Sequence, residues 1–446
     1  MRAFPFRRLI TLALLPLFFS RLLALGPLPP DQAAVRSLDV APVWSAHPVQ
    51  FALLTHGDRQ YVAYYDDART LTIAARKLSD QAWTTARLPV VTGWDSHNYL
   101  ALAADRDGQL HLSGNMHVNP LIYFRTTRPG DIATFERIAA MTGIAEERVT
   151  YPLFFKDGSG ELLFTYRNGG SGRGDQIYNR YDAGKRTWSR LLDTPLTAGG
   201  SRANAYLHGP ILGPDGWFHL CWVWRLTPDC STNTNPSYAR SRDLVHWENS
   251  RGEPLALPIT PETSDIIEPI APRGGIINNN IVLGFDSRGR AVVSYHKFDA
   301  QGFTQIYNAR SENGAWRIVP ASDWNYRWEF SGGGSIDFEI QLEGPRPGAA
   351  GQLRQPYWHA RQGAGHWRLD ETTLKPIATV PAKIENRVEA KTPGMVVNWA
   401  EDSGEAPGSP RRFMLRWETL GNNRDRPRAG EPPAPTTLRV IELAAP

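Results

Sequence analysis

A tryptophan that follows a short polar run recurs at Trp83, Trp188, Trp247, Trp316 and Trp367, with Phe135 in the same role, at successive gaps of 52, 53, 59, 69 and 51 residues. A period near fifty residues restricts the fold severely. Each repeat must be one supersecondary unit that covers its apolar face with the next. Inside the repeats, turn signals open strand-like runs: DRDGQLHLSGN, KDGSGELLFTYR, GPDGWFHLCWVWR and DSRGRAVVSYHK. Alternation of period two supports strands, with Leu162, Phe164 and Tyr166 set against Leu163, Thr165 and Arg167.

Four short strands per fifty-residue repeat are the pattern of a β-propeller blade. Six markers and a further β-rich stretch from Val388 to Leu443 predict an all-β, seven-bladed β-propeller over residues 27–446. The segment Ala41 to Trp44 is expected to close the ring by pairing with the last blade. Two β-sandwiches are the rival, but no linker divides the chain. The 39 glycines and 35 prolines fit many short strands joined by many turns.

The N-terminus reads as a secretory signal peptide over residues 1–26: basic Arg2, Arg7 and Arg8, apolar Leu9 to Phe19, and small residues at Ala24-Leu25-Gly26. The expected product is secreted or periplasmic, monomeric, and off the membrane once cleaved. A net charge of +4 with mixed signs demands no nucleic-acid partner. A few local arginines suffice to hold an anionic polysaccharide.

Chemistry concentrates first in Asp95 to Arg125. His97 and His117 flank a turn at Asp107-Gly108, each in polar company, with Asn115 near the second. Histidine can take or give a proton near neutral pH. Tyr151 and Arg167 straddle the next hairpin turn, Asp157 to Gly160, which would bring them into one sheet; the blander reading of Tyr151 is a packed strand start. Tyr206, His208, Arg225, Asn278 to Asn280, and Tyr295-His296-Lys297 fall at comparable points of later repeats and could line one cleft. Gly169 to Gly174 lies between two strands rather than before a helix, so it reads as a sharp loop and not a phosphate cradle.

Of the two cysteines, Cys221 shares a strand face with His219, and Cys230 lies nine residues on. A zinc site with an unassigned fourth ligand, a disulfide, and two free thiols are all compatible with that spacing. No Ser-His-Asp order, HExxH or conspicuous carboxylate pair appears. His, Tyr and Arg together suit β-elimination of a uronate glycan. An arginine or amide neutralises the carboxylate, a His or Tyr removes the C5 proton, and a second such group protonates the leaving oxygen.

The series DSHNYLALAADRDGQLHLSGNMHVNPLIYFR, VTYPLFF, LLFTYRNGGSGRGD, LGPDGWFHLCWVWR, YARSRDLVHWE and GFDSRGRAVVSYHKFD resembles the BNR-repeat family that includes propeller-type ulvan lyases. The likeness covers about Trp94 to Arg310. The resemblance implies a lyase acting between sulfated rhamnose and a uronic acid. His97 and Tyr151 would be catalytic, Arg167 would neutralise the carboxylate, His117 would be the second active-site histidine and Tyr206 a substrate contact; Asn115 and His208 are added as substrate-binding candidates from their places in the sequence. The resemblance also implies a structural zinc, for which His219, Cys221 and Cys230 are the candidate ligands, and no organic cofactor. Related propellers resemble rhamnosyl-glucuronate lyases and α-L-rhamnosidases, and BNR-type repeats occur in carbohydrate-binding proteins without activity. SRDLVHWE resembles the Asp-box turn of such propellers, where the acidic residue and Trp247 lock a hairpin as scaffold.

Overall fold

The computed structural model describes residues 34–381, 390–404 and 411–444; the expected signal peptide lies outside them. Among the described residues the only helices are three short 3-10 turns, and none could cross a membrane. The strands form seven separate antiparallel sheets of four or five strands.

Six of the sheets follow one another along the chain. The first runs through Ala52–His56, Arg59–Tyr65, Thr70–Lys77 and Thr84–Val91; the second through Leu100–Ala104, Leu110–Gly114, Tyr123–Thr126 and Phe135–Arg137. The third contains Val149–Lys156, Leu162–Gly170, Arg173–Asp182 and Thr187–Arg190, and the fourth Asn204–Leu212, Phe218–Arg225, Asn233–Ser241 and Trp247–Glu248. The fifth and sixth span Val282–Phe285 to Ala315–Pro320 and Ile340–Leu342 to Pro376–Pro381. The seventh joins the two ends of the chain: Ala34–Val43 pairs with Thr436–Leu443, beside Arg412–Thr419 and Val396–Glu401. The expected pairing of the N-terminal segment with the last sheet is therefore present.

Neighbouring sheets are tied through main-chain and side-chain bonds. The Leu100 N–H donates to Gln50 O at 3.1 Å, Tyr99 OH to Pro152 O at 3.3 Å, and Phe285 N–H to Pro345 O at 2.9 Å. Thr55 N–H donates to Asp402 Oδ1 at 2.7 Å, which links the first sheet to the closing one. Stacked Phe51 and Trp417, 4.8 Å apart, bridge the same pair of sheets in the core.

The alternation along Leu162–Gly170 does not separate core from solvent, because both faces are buried. It separates two interfaces instead. Leu162, Phe164 and Tyr166 pack with Trp188 of their own sheet towards Tyr123 of the second, whereas Leu163 packs towards the fourth with Trp222 and Trp224. Sheets covered on both sides need apolar residues at both phases.

The tryptophan markers hold for the turn they were read from. Asp243 Oδ1 accepts from the N–H of Val245 and His246 at 2.9 and 2.8 Å, and Trp247 Nε1 donates to Leu244 O at 3.0 Å. The marker drifts, however: Trp188 and Trp316 sit on the fourth strand of their sheets, and Trp367 on the penultimate strand of its own.

Candidate active site

The candidate side chains gather where the second, third and fourth sheets end on one side. His97 sits in a single 3-10 turn, Ser96–Asn98, capped by Asp95, whose carboxylate accepts from His97 N–H at 2.9 Å. His117 begins the three-residue strand His117–Asn119, which leaves the second sheet and pairs instead with Val149–Lys156 of the third. That crossover sets the two imidazoles face to face, 3.9 Å apart and within 16° of parallel.

Asp95 lies between them. One oxygen is 2.6 Å from His97 Nδ1 and the other 2.6 Å from His117 Nδ1. A carboxylate only accepts, so both Nδ1 atoms carry protons, and in a neutral ring that tautomer leaves Nε2 with its lone pair. Burial works against the charge on Asp95, yet its bonds to His117 and His97 outweigh that and hold its carboxyl far below the usual carboxylate range. For His97 burial is the larger effect. Together with the neighbouring His117 it lowers the imidazole pKa against the pull of Asp95, so the ring is neutral at neutral pH.

Tyr151 faces His97, with ring centroids 5.5 Å apart. It stands at a β-bulge with φ +61°, in the left-handed region. Asn115 at +62° and β-branched Val118 at +63° flank the same cluster. Such conformations cost roughly 1–3 kcal/mol each and persist where surroundings impose them. Here Thr150 Oγ1 accepts from Val118 N–H at 2.8 Å, and Asn115 is pinned through its amide to Tyr65 OH and Val91 O.

Beneath Tyr151 lies Arg167, only 1% exposed, its guanidinium carbon 4.7 Å from the Tyr151 ring centroid and 5.7 Å from that of Tyr206. Arg167 Nε donates to Gly169 O and Nη1 to Tyr206 OH, at 3.2 and 3.3 Å, while Nη2 is buried without a partner. Tyr206 OH also accepts from Arg225 Nη1 at 3.0 Å and meets Ser171 Oγ at 2.8 Å. Burial raises the pKa of both tyrosines. For Tyr206 the charges of Arg225 and Arg167 more than cancel it, and its pKa falls; for Tyr151 burial and the neighbouring Tyr206 win, so it stays protonated.

The glycine run has a local purpose. A Cβ on Gly174 would stand 2.8 Å from Arg167 Cδ, so the arginine lies flat only across a glycine. Gly169, at φ +116°, would meet Arg173 O at 2.5 Å.

Of the expected residues, His97, His117, Tyr151, Arg167 and Tyr206 share this cluster. Asn115 borders it. His208 stands two residues beyond Tyr206 on the same strand, opposite Cys221. Arg225 joins the cluster through Tyr206 OH, whereas the remaining later candidates are engaged by other partners. Asn278 accepts from Asn233 Nδ2 at 3.1 Å, Tyr295 donates to Glu268 at 2.7 Å, and His296 is buried against Trp328 and Phe330.

The three proposed zinc ligands are not assembled. His219 Nδ1 lies 2.6 Å from Tyr238 OH and Nε2 3.0 Å from Asp215, so both ring nitrogens are committed. Cys221 and Cys230 are free thiols in different core clusters, and burial pushes both pKa values up, away from the thiolate a metal requires. The residues present do not fit the ion. Among the described residues, the one set of three or more His, Cys, Asp or Glu ligand atoms within 4.8 Å is Asp95, His97 and His117, whose Nδ1 atoms are already bonded to the carboxylate.

Two participants escaped the sequence reading. Asp95 was visible two positions before His97 as polar company only. Asp425 comes from the far end of the chain and lies 3.6 Å from His97 Nδ1.

A family model described as BNR repeat-containing family member matches residues 59–324. The long ulvan lyase isoform of Alteromonas sp. (strain LOR) is 25% identical over 228 residues, 45% of this chain and 22% of that protein. The corresponding enzyme of Glaciecola sp. (strain KUL10) is 38% identical over 164 residues, 34% of this chain and 15% of that protein. These matches therefore span well under half of the relatives' own length. Among solved structures, the polysaccharide lyase Uly1 superposes with a TM-score of 0.63 at 14% identity, covering 92% of this chain and 100% of Uly1. A PL25 ulvan lyase bound to -[GlcA(1-4)Rha3S]- superposes with a TM-score of 0.57 at 14% identity, covering 87% and 97%. At that identity the likeness establishes a shared propeller-like fold.

Proposed function

Because the chain belongs to the BNR repeat-containing family, we propose that it is a polysaccharide lyase that cleaves a uronate-containing, rhamnose-rich, ulvan-like glycan by β-elimination, on a seven-bladed propeller. The carrying observation is Asp95. It fixes the Nδ1–H tautomer of both histidines, leaving His97 with a free Nε2 lone pair opposite a protonated tyrosine. Seven sheets in sequence order, with the last formed from both chain ends, support the blade count.

In this reading His97 Nε2 takes the C5 proton of the uronate. The C5–H electrons form the C4–C5 double bond, the C4–O4 bond breaks, and the Tyr151 hydroxyl protonates O4. The resulting tyrosinate is stabilised by Arg167 and Arg225. Arg167 Nη2 neutralises the uronate carboxylate, which makes the C5 proton acidic enough to remove. Arg167 is 1% exposed, so in this reading the carboxylate reaches Nη2 only when the Tyr151 ring moves aside. His117 and Asn115 orient it, and Tyr206 and His208 extend the contact along the fourth sheet. Export and a monomeric state belong to the same proposal.

A hydrolase would need a carboxyl group that stays protonated as acid. Asp95 and Asp425 are the carboxylates at the site, and both are held below the usual range, so neither serves. Digestion of ulvan and other uronate glycans should produce the near-ultraviolet absorbance of an unsaturated uronate, with products one water lighter than hydrolysis gives. His97→Ala should reduce turnover to background with unchanged thermal unfolding. Hydrolytic products, or full activity in that variant, would refute the mechanism.

A further inference from the structure

His97 has a second carboxylate. Asp425 Oδ2 lies 3.6 Å from His97 Nδ1, is buried, and has no hydrogen-bond partner of its own. Its other oxygen accepts from Ser96 N–H at 3.0 Å and faces His47 Nε2 at 3.2 Å. His117, Asp95, His97, Asp425 and His47 thus form one alternating array of three imidazoles and two carboxylates. Asp425 and His47 both fall outside residues 59–324 of the family match.

The loop that carries Asp425 is built to hold it there. Arg424 and Asp425 are both left-handed, with φ +54° and +56°. Arg424 Nη1 donates to Ser331 O at 2.7 Å, Asp425 N–H to Ser335 Oγ at 3.2 Å, and Asn422 Nδ2 to Ile336 O at 3.1 Å. A Cβ on Gly334 would meet Arg424 O at 2.4 Å, so a glycine permits the approach. On the other side Arg428 donates to Ala46 O at 3.3 Å, beside His47. A strained, multiply anchored loop that delivers one buried carboxylate between two imidazoles is more than a surface connection.

We propose that Asp425, backed by His47, is a positioning residue for His97, holding its turn through Ser96 N–H and placing a second carboxylate charge beside its ring, so that loop 421–428 is part of the active site. This rests on the reading of His97 as the base. The charged and titratable groups facing His97 are Asp95 on its own turn, His117, Tyr151 and Asp425, with Arg167 behind Tyr151 and His47 behind Asp425. Burial lowers the His97 pKa, and the Asp425 charge opposes that. Removing the charge must therefore move the midpoint further down.

The test is Asp425→Asn, which keeps size and an acceptor oxygen, with Asp425→Ala alongside and thermal unfolding to confirm the fold. Nitrogen-detected NMR follows the His97 ring across pH, and kcat/KM is measured on ulvan over the same range. The expected results are a lower His97 midpoint, an acid limb of kcat/KM displaced the same way, and a plateau reduced about tenfold. An unmoved His97 midpoint in folded Asp425→Asn overturns the proposal. If the resonance moves and the acid limb does not, the coupling stands and His97 is not the base.

Discussion

Arg167 is the residue on which the chemistry presses hardest. Two of its three nitrogens are bonded to protein, and the third is buried with no acceptor. An unpaired guanidinium N–H of that kind costs on the order of 1–3 kcal/mol of stability, a price that makes sense when a substrate carboxylate completes the set. Lysine keeps the charge but presents no planar fork. Arg167→Lys should lower kcat/KM on the glycan about 10²–10³-fold, and steady-state kinetics on the folded variant would check it. A loss under threefold would remove Arg167 from carboxylate recognition. Residues of this kind were legible in the sequence because hairpin turns at 107–108 and 157–160 fixed which strand ends meet. His219 was misleading for a physical reason. His111 repeats its pattern, with Nδ1 2.7 Å from Tyr123 OH and Nε2 3.3 Å from Asp105. Two sheets thus carry the same Asp-His-Tyr set, and His219 belongs to the scaffold rather than to a metal.

At the scale of elements, the strand pair Leu162–Gly170 and Arg173–Asp182 shows how backbone chemistry aims a side chain. In register Arg167 faces Gln176, and Gly169 faces Gly174. The sequence made the glycine run a tight connection, which it is, but could not reveal that Gly174 underlies the Arg167 side chain. Gly174 lies outside the left-handed region, so a substitution there acts by contact alone. Gly174→Ala places a methyl against Arg167 Cδ and Cγ, at 2.8 and 2.9 Å before relaxation. Overpacking of this size costs about 1–3 kcal/mol, and the guanidinium has to shift. The variant should keep its fold by circular dichroism, melt a few degrees lower, and lose at least tenfold in kcat/KM, since misplacement by about 1 Å can cost 10²-fold. An unchanged kcat/KM would show that the flat seat of Arg167 has no part in catalysis.

Across the whole molecule, the closure and the site share one seam. The N-terminal strand Ala34–Val43 leads directly to Ser45 and His47, and the C-terminal sheet supplies Asp425; Ser45 Oγ donates to Ala434 O at 2.8 Å and Leu420 N–H to Ser45 O at 2.8 Å. The pairing of the two ends could be read from the repeat count, because an odd fragment at each end has to find a partner. Its link to His97 could not, since 328 residues separate Asp425 from His97 and neither lies in a marker position. The strand is mostly exposed, so it contributes ladder hydrogen bonds more than apolar burial. Deleting residues 34–41 would leave Thr436–Leu443 as an open edge, a template for association, and would free the segment that seats His47. The truncated protein should melt lower, self-associate in light scattering, and lose turnover at urea concentrations where intrinsic tryptophan fluorescence still reports folded sheets. If turnover and fluorescence are lost together, as in the full chain, the seam does not govern the site separately from the fold.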